Sequence, residues 1–99
     1  MTISTKPFDA AKYFESTEAQ ARLLTDALES EHPGYIADAL GTVARARGIA
    51  TIAEETGLSR QALHKALSDK GNPTLSTVLK VLHSLGLQLT AKAREPEMA

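Results

Sequence analysis

The stretch TIAEETGLSRQALHKALSDKGNPT, residues 51–74, decides how this chain is read. Thr51 and Glu54 have the spacing of a capping box, in which a threonine hydroxyl takes a free N–H three residues on and the glutamate reaches back, so a short helix is expected to open at Thr51. It can run little more than a turn before Gly57, which tolerates the left-handed backbone that a tight helix-to-helix turn demands. Leu58 and Ser59 fill that turn. Ser59 is a good N-cap for a second helix from Arg60 to about Ser68, with Leu63, Ala66 and Leu67 facing inward. Small Ala53 lets the two helices approach, and Ile52, Leu58 and Leu63 pack beneath the turn. The pattern predicts a helix-turn-helix, the unit whose second helix lies in a DNA major groove with its N-terminal residues against base edges while the first crosses the backbone.

On that geometry Arg60, Gln61, His64 and Lys65 project outward as candidate base contacts. Arginine bonds two acceptors of guanine and glutamine pairs with adenine, so these residue types suit base reading. Thr51, Ser59, Lys70, Asn72 and Thr74 carry hydroxyl, ammonium or amide donors at helix starts and turns, and are candidate phosphate contacts that fix register without reading sequence. Two short helices around a glycine are also common in all-helical proteins, and polar residues on a helix are usually just solvated. Both explanations of the stretch stay open on the turn alone. The single acid in a basic stretch and the choice of Arg and Gln directly after the serine cap favour DNA.

Working outward, Asp69 to Pro73 reads as a loop and Thr74 as the cap of a last helix, with Leu75, Val78, Leu79, Leu82 and Leu85 on one apolar face ending at Gly86. Leu79 and Leu82 are expected in the core. Leu87, Leu89 and Ala91 then alternate with polar residues, which predicts a short C-terminal strand. A lone strand needs a partner for its backbone.

On the N-terminal side, Tyr35, Ile36, Leu40, Val43 and Ala44 give one helical face that stops at Gly48, after the break His32-Pro33-Gly34. Before it, Thr17 and Gln20 have capping-box spacing for a helix over Glu18 to Glu29 with Ala19, Leu23, Ala27 and Leu28 inward. Asp9 is placed to cap a short turn carrying Tyr13 and Phe14. The expected architecture is therefore one all-α helix-turn-helix domain of five to six helices with a short C-terminal strand, over residues 8–93, between loose ends at 1–7 and 94–99.

A chain of 99 residues is the usual size of one domain. With only Phe8, Tyr13, Phe14 and Tyr35 aromatic, its core must come mainly from aliphatic side chains, which favours close-packed helices. There is no cysteine, hence no disulfide or thiolate metal site. No run approaches the roughly 18 apolar residues of a membrane span, and Met1 to Phe8 lack a signal-peptide stretch. A cytoplasmic location away from membranes is expected. The net charge of −1 hides a strong asymmetry: three bases and seven acids from Met1 to Asp38, but six bases and only Asp69 from Thr56 to Arg94. Such polarity points to partners, nucleic acid for the basic part and a basic protein for the acidic part. A solvated acidic face is the plainer account of the latter.

Nothing supports catalysis or a cofactor. His32, His64 and His83 are scattered, Glu54 and Glu55 read as an exposed face and cap, and no HExxH or phosphate-cradling glycine loop occurs.

Gly57-Leu58-Ser59-Arg60, Ala62-Leu63, Lys65-Ala66-Leu67 and Gly71-Asn72-Pro73 together resemble the Xre-like, lambda-repressor-type DNA-binding domains. Phe8-Asp9, Tyr13-Phe14, the Leu23 to Leu28 helix, Ala39-Leu40-Gly41, Ala44-Arg45-Ala46-Arg47-Gly48 and Leu85-Gly86-Leu87 are similar, more narrowly, to the HigA-like addiction-module antitoxins. That resemblance spans about Phe8 to Thr90. It implies a protein that neutralises a RelE-like ribonuclease toxin and represses the operon encoding both. The chain departs from the family at Ala50-Thr51, where Ser-Gln is frequent, and at His64, where an aromatic is frequent. Three functions compete: antitoxin and autorepressor, an Xre-type regulator without a toxin, and a protein-interaction module that does not bind DNA. Because one small helix-turn-helix reads few base pairs, a symmetric homodimer on two half-sites is expected, contributed by the last helix and the Leu87 to Ala91 segment.

Overall fold

A computed structural model describes residues 16–96. Five helices are formed among them: α1 (Thr17–Ser30), α2 (Pro33–Arg47), α3 (Ile49–Thr56), α4 (Arg60–Ala66) and α5 (Leu75–Ser84). The expected turn at Asp9 with Tyr13 and Phe14 lies outside the described residues.

Each helix boundary has a local cause. Ser16, one residue before the expected cap, accepts the Ala19 N–H at 3.1 Å and starts α1, so Thr17 is already helical. Glu31 in the left-handed conformation ends α1, and Pro33 opens α2 at a position where a missing N–H costs nothing. Arg45 and Arg47 in the last turn of α2 complement its dipole, and Gly48 at φ 110° ends it. The next helix follows at once: the Gly48 carbonyl accepts the Ile52 N–H at 3.1 Å, so α3 begins at Ile49. Thr51 is therefore inside the first turn of α3 and is not its cap, a correction to the capping-box reading. Starting earlier, α3 reaches eight residues, longer than the single turn expected.

The core is made by Leu24 and Ala27 of α1, Leu40, Val43 and Ala44 of α2, Ile52 of α3, Leu63 and Leu67, and Val81, Leu82 and Leu85. Ile52 is fully buried because α3 packs against α2, α4 and α5 at once. α1 packs on α2.

Three helix faces differ from expectation. On α2, Tyr35 is 37% exposed rather than inward, its hydroxyl held outward by Asp26. On α1 the inward line runs through Gln20, Leu24 and Ala27, while Leu28 is 38% exposed. A buried glutamine is invisible to a pattern weighed on apolar residues alone. The buried apolar residues of α5 are Val81 and Leu82, joined by Leu85 just past its end and by half-buried Val78, whereas Leu75 and Leu79 are 64% and 45% exposed. Helix α5 has more apolar residues than one face holds, and positions 78, 81, 82 and 85 form the i, i+3, i+4, i+7 line that meets the core. Leu79 is thus no core residue, and Leu82 is.

The expected strand at Leu87 to Ala91 is absent among the described residues. Gly86, at φ 76°, donates its N–H to the His83 carbonyl, and Leu87 donates to the Leu82 carbonyl at 2.9 Å, the double closure of a Schellman motif. Leu87 packs against the core, so its backbone and side chain are spent on ending α5. Residues 88–96 run on without regular structure, and Arg94 pairs with Glu31 at 3.1 Å.

Candidate nucleic-acid interface

The α3–α4 connection is held from both sides. Thr56 Oγ1 donates to the Ile52 carbonyl at 2.6 Å and accepts the Leu58 N–H at 3.3 Å, so one side chain closes α3 and sets the path of the turn. Gly57, left-handed at φ 76°, donates its N–H to the Ala53 carbonyl at 2.9 Å. Ser59 Oγ accepts the Ala62 N–H at 3.0 Å and opens α4, where the sequence placed it. The helix ends at Ala66, two residues short of expectation.

Arg60, Gln61, His64 and Lys65 are all exposed. At about 100° per residue they occupy an arc of about 140° on α4, while Leu63 is fully buried on the other side. The structure therefore brings the four candidate base contacts onto one face. That face carries guanidinium, amide, imidazole and ammonium groups with no carboxylate, a set of donors suited to the acceptor-rich edges of purines. His64 and Lys65 also stand at the C-terminal end of the helix, where positive charge is favourable.

The candidate phosphate contacts divide into two groups. Thr51, Lys70 and Asn72 are exposed, the first on α3 and the others on the connection from α4 to α5. Ser59 and Thr74 are already engaged as caps. Thr74 Oγ1 accepts the Thr77 N–H and donates to Thr77 Oγ1, both at 3.1 Å, so its proton is committed to α5.

One residue was missed by sequence reasoning. Arg47, ending α2, forms an ion pair with Glu55 of α3 at 3.5 Å, tying the α2–α3 corner beside the turn. Eight positions apart and on different helices, the two carry no periodic signal. On the acidic side, Glu18, Asp26, Glu29, Glu31 and Asp38 are exposed on the α1–α2 hairpin. Tyr35 donates a 2.6 Å hydrogen bond to Asp26 across that hairpin. This bond, then partial desolvation and the carboxylate charge, raise the Tyr35 pKa above its ordinary value. No cluster of metal-ligating side chains occurs among the described residues, and none of their helices is long and apolar enough to cross a membrane.

A family model described as "Probable addiction module antidote protein" matches residues 4–93. The chain belongs to this family of addiction-module antidote proteins. A curated protein of Haemophilus influenzae strain Rd, carried as an uncharacterized protein, is 44% identical over 88 residues, covering 89% of this chain and 91% of its own. No solved structure matches the chain significantly.

Proposed function

We propose that this protein is the antitoxin of a type II toxin–antitoxin module: a non-enzymatic, cytoplasmic dual binder that neutralises a RelE-like ribonuclease toxin and represses its own operon by binding operator DNA. Membership of the antidote family supports the toxin half of this reading, and the HigA-like motifs favour that branch of it. The observation that carries the DNA half is the exposed, carboxylate-free face of α4, presented by a capped and doubly bonded turn. In this reading α3 and α4 form an Xre-type helix-turn-helix. Arg60 and Gln61, in the first turn of α4, read purine edges, with His64 and Lys65 beside them. Thr51, Lys70 and Asn72 bond phosphates, and Ser59 and Thr74 contribute through the turns they cap.

The exposed acids of α1 and α2 offer complementary charge to an RNA-cleaving toxin, which must itself be basic to hold its substrate. The protein binds its operator as a homodimer through the exposed Leu75 and Leu79 of α5. Among the described residues α5 bears only Lys80 and His83 as charged or titratable groups, which disfavours a basic toxin there. Two leucines are far fewer than the roughly 20 to 30 residues a side of a stable interface, so pairing needs DNA to assist it.

The test is to sequence the gene adjacent to this one and to express its product with and without this chain. The reading expects growth arrest, its relief by this chain, and a stable complex on purification. Arrest without relief, and no complex, overturns it.

A further inference from the structure

Glycines from two places converge on the connection between α4 and α5. A Cβ on Gly41 of α2 would collide with the Leu67 carbonyl oxygen, and one on Gly34 would stand 2.8 Å from the Asp69 carbonyl oxygen. A Cβ on Gly71 would collide with the Ala66 carbonyl and stand 2.7 Å from that of Lys65. None of the three has a positive φ, so what they supply is space. Gly34 and Gly41 are seven residues apart and lie on one face of α2, with the fully buried Ala37 between them. At mid-helix Gly41, helix propensity alone favours alanine, so the close backbone approach is the reason for glycine.

Lys70 stands between the two anchored points. Before it, the Asp69 carbonyl is seated on Gly34; after it, Gly71 folds back on the last carbonyls of α4 and donates its N–H to Ser68 at 2.8 Å. From this geometry we infer that Gly34 and Gly41 are positioning residues for nucleic-acid binding. They seat the α4–α5 connection on α2, so that Lys70 and Asn72 meet the operator phosphates in fixed register with the base-reading face of α4. The inference rests on the operator-binding reading above. It assigns an effect on DNA affinity to helix α2, through residues that do not touch DNA.

The experiment titrates the full chain onto duplex from the region upstream of its own gene at several salt concentrations. It compares wild type, Gly34→Ala, Lys70→Ala and the double variant, Gly34→Ala being the milder clash. The inference expects Gly34→Ala to lower the salt slope by about one unit, as Lys70→Ala does, with unchanged base preference. The double variant should bind no more weakly than Gly34→Ala alone, because a displaced connection has already lost the Lys70 contact. Wild-type affinity and slope in Gly34→Ala, or additive losses in the double variant, overturn it. Amide exchange in the unsubstituted chain gives a second check that needs no variant to fold. A clamped connection exchanges the Gly71 N–H only through global unfolding, and exchange at loop rates contradicts the clamp. Wild type failing to bind this duplex would remove the operator reading and the inference together; wild type binding while Gly34→Ala matches it removes the inference alone.

Discussion

Ser59 Oγ accepts the Ala62 N–H at 3.0 Å, so the residue directly before Arg60 fixes where α4 begins and which way its first turn faces. Replacing the cap removes a bond that nothing else in the turn supplies. Ser59→Ala should cost about 0.5 to 2 kcal/mol of stability, and Ser59→Asp, which caps equally well, should recover most of it. Urea denaturation of the three proteins checks this. Equal midpoints for wild type and Ser59→Ala would show that the cap is not what holds α4.

Leu79 and Leu82 sit three positions apart on α5 but in different surroundings, 45% and 5% exposed. Leu82→Ala should cost roughly 2 to 5 kcal/mol, whereas Leu79→Ala should change stability by no more than about 0.5 kcal/mol. Comparable urea midpoints for the two variants would put the helix in a different register.

Ser84 is 7% exposed, and its hydroxyl has no hydrogen-bond partner. An unsatisfied buried hydroxyl carries a desolvation penalty of about 1 to 3 kcal/mol, which alanine relieves at little loss of volume. Ser84→Ala should therefore be as stable as wild type or more so. A fall in melting temperature would mean that the hydroxyl is satisfied in solution.

The hydrogen bond from Tyr35 to Asp26 gives a pH dependence with a defined sign. Because the folded-state pKa of the phenol is raised, its contribution to stability is complete below the ordinary tyrosine range and is lost as pH rises through the folded value. Ultraviolet titration in a Tyr13→Phe background isolates the group, as Tyr13 is the other tyrosine. Tyr35 should titrate above its ordinary value, and Asp26→Ala should bring it back down. A midpoint that does not move on losing Asp26 contradicts the assignment.

The punctuation of this fold was legible in the sequence: Gly48, Gly57 and Gly86 end helices, and Ser59 and Thr74 begin them, because each acts through its own backbone or a neighbour three residues away. What depended on distant contacts was not. Gln20 turns inward and Leu79 outward for reasons of packing between helices. Thr51 has the right spacing for a cap, yet Gly48 and Ile49 start the helix before it. The alternation after Gly86 resembles a strand, but Leu87 is drawn into the closure of α5. For the site, the four outward residues of α4 followed from the position of Ser59. The seating of the next connection on Gly34 and Gly41 left no local signal, since it joins residues some 26 to 35 positions apart.

Whether the exposed face of α4 reads operator bases is decided by fluorescence anisotropy. Wild type, Arg60→Ala and Gln61→Ala are titrated onto the duplex upstream of the gene and onto a scrambled duplex of equal length, at one salt concentration. Wild type should prefer the upstream duplex, and each substitution should cost about 1 to 3 kcal/mol on that duplex alone. Equal affinity of wild type for both duplexes, or equal losses on both, would contradict base reading.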